Sequence, residues 1–192
     1  MTKKILLGLL LILTFKSFSQ NSKFSVELNL PINMGENMFG KDFNGIVDIG
    51  AKYRISNLDL INVSASINAG LSNGTPVEDS RIKNQDSKYY LIQPRINGEL
   101  KIKSLKNVHP MFGIGYTFMI FESSATIGNI TTENNINRSG INANFGVSYD
   151  LTKKLFAIVQ YDFVKLKAGN NIPNTNFTTN MNIIKIGIGL KL

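Results

Sequence analysis

The side chains that could do chemistry are few and scattered. The chain has one histidine and no cysteine in 192 residues. His109 stands in "KNVHP", just before Pro110. A Ser–His–acid site would have to be built around it, because nothing else in the chain can serve as an imidazole base. Its place in a short polar turn predicts a solvated histidine instead. With one imidazole and no thiolate, a transition-metal centre lacks ligands. "DSRIKNQD" (Asp79–Asp86) supplies oxygen ligands, yet not the spacing or the fixed glycine of a calcium-hand loop, and reads as a solvated charged loop. No helix follows either "GIG", Gly113–Gly115 or Gly187–Gly189, so neither is a phosphate loop. Glycine there is expected to make room in a crowded interior or to permit curvature. No metal or cofactor is expected.

Charge points the same way. Lysine and arginine outnumber acids by eight over the full chain. They come in ones and twos without aromatic interleaving, which predicts ordinary surface chemistry and no nucleic-acid partner. The first nineteen residues read as a signal peptide. Lys3 and Lys4 precede the short apolar run Ile5–Leu13, and Ser17 and Ser19 sit at the small-residue positions before Gln20. Without that segment, eighteen basic residues face thirteen acidic ones, a formal charge of +5. Residues 20–192 are then one exported domain. No later run is long and apolar enough for a transmembrane helix, and the absence of cysteine excludes disulfides.

The elements that carry these residues are strands. In Leu60–Ser72, Ile61, Val63, Ala65, Ile67, Ala69 and Leu71 alternate with asparagine, serine and glycine. Side chains of a strand point alternately to opposite faces, so one face is apolar and the other polar or tiny. The same period of two recurs in Lys23–Asn33, Gly45–Ile55, Tyr89–Ile102, Pro110–Phe121, Gly140–Leu151, Leu155–Leu166 and Asn182–Leu192. Each of these eight segments suffices to cross a bilayer when tilted. Short connections (Ser56–Asp59, Lys103–His109, Thr152–Lys154) alternate with longer polar ones (Met34–Asn44, Ser72–Lys88, Glu122–Ser139, Lys167–Thr179). This predicts an all-β, eight-stranded antiparallel up-and-down transmembrane β-barrel.

Alternation alone does not say which face looks outward. The export signal and the unequal connections favour lipid on the apolar side. So do the aromatics near strand ends: Phe24, Tyr53, Phe112 and Tyr149 towards the short turns, and Tyr90, Phe118, Tyr161 and Phe163 towards the loops. The polar face would then hold charges of both signs, Glu27, Asp48, Lys52, Arg54, Arg95, Glu99, Lys101 and Lys185, with Asp150 and Asp162 beside them. Enclosed in a narrow barrel, these are expected to pair into an ionic network.

The last strand carries one further pattern. In Lys185–Leu192, Lys185 is followed by Gly187, Leu190 and the terminal Leu192. This resembles the C-terminal β-signal of outer-membrane proteins, apart from leucine at the last place where phenylalanine is usual. The whole chain after residue 19 resembles the small eight-stranded outer-membrane barrels, the OmpX and OmpA transmembrane-domain type, and porin-like barrel proteins of Gram-negative envelopes. The resemblance implies outer-membrane lipid around the barrel and recognition of the last strand by the assembly machinery. It also implies a structural or surface-interaction role without catalysis, or a porin-like narrow conductance if the inward pairs can exchange. The polar stretches Asn129–Ser139 and Asn170–Thr179 are candidate contacts for an extracellular ligand or surface. Two alternatives stay open: an outer-membrane lipid-modifying enzyme built on His109, and a secreted lipocalin-like binder with its apolar face inward.

Overall fold

A computed structural model describes residues 23–75, 82–127, 130–169 and 173–192. The segment read as a signal peptide lies outside the described residues. So do Asp79–Arg81 of the charged loop, and Asn129 and Asn170–Ile172 of the two polar stretches. Eight strands close a single antiparallel barrel in chain order: β1 (Phe24–Met34), β2 (Phe43–Asn57), β3 (Ile61–Gly74), β4 (Ile82–Leu100), β5 (Val108–Ile127), β6 (Ile130–Asp150), β7 (Leu155–Leu166) and β8 (Asn180–Lys191). Two short helices join them at the long-connection end, α1 (Met38–Asp42) and α2 (Asn176–Thr179).

Closure is made by β1 against β8, from Ser25 opposite Lys191 to Met34 opposite Asn182. In hydrocarbon an unpaired backbone amide costs several kcal/mol, and closing the sheet gives both lateral edges a partner. The outward face is apolar throughout the band. Leu28, Leu30, Ile49, Ile67, Ile96, Ile114, Phe145, Ile186 and Ile188 are all exposed, with Ile114 at 70%. Phe24, Tyr53, Phe112, Tyr149, Phe118 and Phe163 lie outward with them, and Phe24 pairs directly with Tyr53 across β1 and β2. This arrangement overturns the lipocalin-like alternative, which needs the same residues inward.

The structure corrects three connections. Ser72–Lys88 is shorter than expected, since β3 runs to Gly74 and β4 begins at Ile82, so Ile82–Asp86 of the charged stretch are strand and not loop. Glu122–Ser139 is not a loop, because β5 and β6 stay paired up to Ile127 opposite Ile130. Cross-strand pairing of threonine, serine and asparagine is enough to continue the ladder, although it leaves no apolar alternation to read. Met34–Asn44 is not a free loop either. It folds inward as α1 and buries Phe39 to 1% exposure inside the barrel end.

Candidate functional site

The inner faces of the strands place three levels of side chains along the lumen. At mid-height, Lys185 of β8 is the hub. Its ammonium lies 2.7 Å from Asp48 of β2 and 3.0 Å from Asp162 of β7, and donates to Gln93 at 3.0 Å. Asp162 also accepts from Arg95 of β4 and from Gln160. Arg95 donates its Nε to Asn142 at 2.9 Å, and Asp48 accepts from Asn29 (3.0 Å) and Asn68 (2.9 Å). Thr117 closes the circle by accepting from Gln93 (3.2 Å) and Asn142 (2.9 Å). Asp162 is fully buried. Two cations between two carboxylates, each with amide partners, meet the condition under which buried charge is tolerated.

Small residues make this density attainable. A Cβ on Gly113 would fall 2.3 Å from the side-chain oxygens of Asn97 and Asn144, and one on Gly187 2.1 Å from that of Asn29. Both glycines give their space to a neighbouring amide.

Above this level, towards α1, the lumen turns apolar. Phe39, Phe43, Tyr89, Leu91, Met119, Val164, Leu166, Met181 and Ile183 form one buried cluster, with Met38 and Phe121 packed against it. Phe39 meets the Tyr89 ring edge-on at 5.7 Å, and Phe43 lies 5.1 Å from Tyr89. Asn37 caps α1 by accepting from the Gly40 amide at 2.8 Å. Gly35, at φ 95°, makes the turn that sends the segment inward. Gly40 fits because its missing Cβ would otherwise stand 2.4 Å from the Gly35 carbonyl.

Below the hub, towards the short turns, the lumen opens. Glu27 pairs with Lys52 at 2.9 Å, and Glu99 accepts from Asn62 at 3.0 Å. Arg54 lines the mouth. His109 Nε2 lies 3.1 Å from Asp150, whose carboxylate also takes the Lys191 ammonium at 2.6 Å. His109 is thus part of a three-residue cluster and not a free turn residue. Lys101 lies beyond the last residue of β4, where its ammonium is held by the Asn57 side chain and the Leu58 carbonyl. It belongs to the rim and not to the inner network.

The eight inward charges named from the sequence therefore divide. Asp48, Arg95 and Lys185 meet around Asp162; Glu27, Lys52, Arg54 and Glu99 lie at the lower mouth; Lys101 stands at its rim. Sequence reasoning missed the amide partners and the whole apolar plug. The inward positions of the loop-side strand halves (Tyr89, Leu91, Met119, Val164, Met181, Ile183) carried the signal, together with two phenylalanines in "MFGKDF".

The family model for the outer membrane protein beta-barrel domain matches residues 5–191. The chain belongs to this outer-membrane β-barrel family. Its strands therefore span the outer membrane, with the short turns on the periplasmic side and the long connections outside the cell. No curated protein matches the sequence. Among solved structures, Neisserial surface protein A superposes with a TM-score of 0.64 at 18% identity, over 89% of this chain and 98% of its own. Ail, the attachment invasion locus protein of Yersinia pestis, gives 0.58 at 11% identity, over 89% and 99%. A major outer membrane protein of Thermus thermophilus gives 0.64 at 10%, also over 89% and 99%. At these identities the likeness is one of fold.

Proposed function

We propose that this outer-membrane barrel is non-catalytic and non-conducting, and that it presents a β-sheet edge to partners outside the cell. The observation that carries the reading is the unequal height of the strands. β6 pairs with β7 only from Gly140 onward, whereas it pairs with β5 up to Ile130. Among the described residues no strand covers the outer edge of β6 from Ile130 to Arg138. At about 3.3 Å per residue this edge runs for roughly 30 Å. Thr131, Thr132, Glu133, Asn134 and Asn135 are exposed along it. Beside them, Asp86, Lys88 and Glu122 help line a polar cleft of about 490 Å³. An open edge with unpaired amides and carbonyls is a template for an added strand. The names of Neisserial surface protein A and of the attachment invasion locus protein fit a surface role.

Absence of conduction is supported by the two filled levels of the lumen. Absence of catalysis is supported by the place of His109, on the periplasmic side and engaged with Asp150, far from any substrate in the outer leaflet. Lys185, Gly187, Leu190 and Leu192 are the proposed recognition residues for assembly, on the strand that closes against β1.

A proline scan from Thr131 to Asn137 tests the edge. Alternate residues of a strand send their amides to opposite neighbours. Proline at edge-facing positions is expected to abolish capture of extended peptides selected from a displayed random library, with the barrel intact. If a barrel with residues 123–135 replaced by a tight turn captures the same peptides, the edge is not the binding surface.

A further inference from the structure

Residues 23–27, 52–62, 99–109, 150–154 and 189–192 form the periplasmic end of the barrel. They contain nine lysines and arginines against four carboxylates. The other residues from 20 onward contain nine of each, so the entire excess of five positive charges lies at this end. Three of the four carboxylates are engaged there: Glu27 with Lys52, Asp150 with Lys191 and His109, and Glu99 with Asn62. The fourth, Asp59, lines the larger of two adjoining cavities.

These cavities measure about 240 and 410 Å³. Arg54, Asn62, Glu99 and Lys191 line both, which makes them one concave vestibule. Lys23, Lys52 and Lys153 line the smaller cavity, and Lys101, Lys103 and Lys106 the larger. Lys52, Lys101 and Lys191 are each fastened by a protein partner, so their charge is fixed in place at the wall. A cleft lined by one sign of charge, with low-dielectric walls, focuses its field and concentrates counter-ions.

We propose that this vestibule binds a compact polyanion carrying two or more phosphate groups. Lysine offers three donors and arginine five, none of them an acceptor, and both form charge-assisted bonds to phosphate oxygens. A single carboxylate leaves most of the excess uncompensated, and a neutral sugar or peptide makes no use of it. Several phosphates on a small frame match both the charge and the volume. The phosphates come either from an anionic phospholipid headgroup at the inner leaflet or from a soluble periplasmic phosphate compound. This site is at the opposite end from the proposed surface edge and does not depend on it.

The test is calorimetric titration of the full barrel, in neutral-detergent micelles, with inorganic tripolyphosphate at an ionic strength of about 0.15 M. Saturable binding is expected. Arg54→Gln/Lys103→Gln/Lys106→Gln should weaken it by about tenfold or more, whereas Lys41→Gln/Lys165→Gln at the other end should change it by about twofold or less. Retention of the folded, heat-modifiable band shows that each variant still closes its barrel. Lys103→Gln alone, in an exposed turn, should already lower affinity about threefold. Absence of saturable binding, or equal binding by the triple variant, overturns the proposal. In nanodiscs, competition by cardiolipin, whose headgroup carries two phosphates, against tripolyphosphate identifies the lipid headgroup as the source. Undiminished tripolyphosphate binding there identifies a soluble phosphate compound.

Discussion

The level of the lumen around Lys185 is filled by ions and amides, whereas the level around Phe39 is filled by aromatic and aliphatic side chains. Both levels close the same tube. The ionic level is built wholly from strands, so each charge is positioned by the ladder and by its place in the alternation. The apolar level is completed by α1, a segment that leaves the sheet and returns into its mouth. Ion pairs tolerate little displacement once desolvated, and the rigid wall supplies that constancy. Apolar packing is non-directional, and it accepts a plug that arrives from a connection. Order within the lumen thus follows the stiffness of what carries each group.

That contrast can be broken one level at a time. Asp162→Asn would leave Arg95 without its carboxylate partner and Lys185 with Asp48 alone. We expect a loss of about 3–5 kcal/mol, read from urea unfolding in detergent micelles. Phe39→Ala should cost about 3 kcal/mol, because the barrel wall holds the cavity open after truncation. Either variant alone should remain silent in planar-bilayer recording, since the other level still fills the lumen. The two together should admit small ions. Conduction through Phe39→Ala alone would show that the ionic level does not seal. The smallest effect belongs to Asn37→Ala, which removes the α1 cap and should cost about 1 kcal/mol, read as faster amide exchange confined to residues 38–42.

The strands and their inward faces were legible in the sequence because alternation is a local property. Leu60–Ser72 announces its two faces without help from the rest of the chain. The upper hairpin of β5 and β6 was not legible, since Thr126 pairs with Thr131 and Ser123 with Asn134. A strand polar on both faces has no period to detect. Phe39 escaped for a related reason: five residues of helix are too short for a helical period, and only the open barrel end gives its ring somewhere to go. The charges were read as scattered, because spacing along the chain does not reveal that Lys23, Arg54, Lys101 and Lys191 share one mouth.

By itself, then, the sequence determined the number of strands, their order and which face of each meets lipid. The count follows from local periodicity, the pairing of neighbours from the short turns, and the outward face from the export signal, the unequal connections and the aromatics near strand ends. Only the tertiary structure decided the partners. Lys185 and Asp48 are 137 residues apart, and they meet because the barrel's closure brings β8 near β2. The filled lumen, the open edge of β6 and the cationic mouth arise in the same way, from the lateral register of eight strands. No single stretch of chain contains that register.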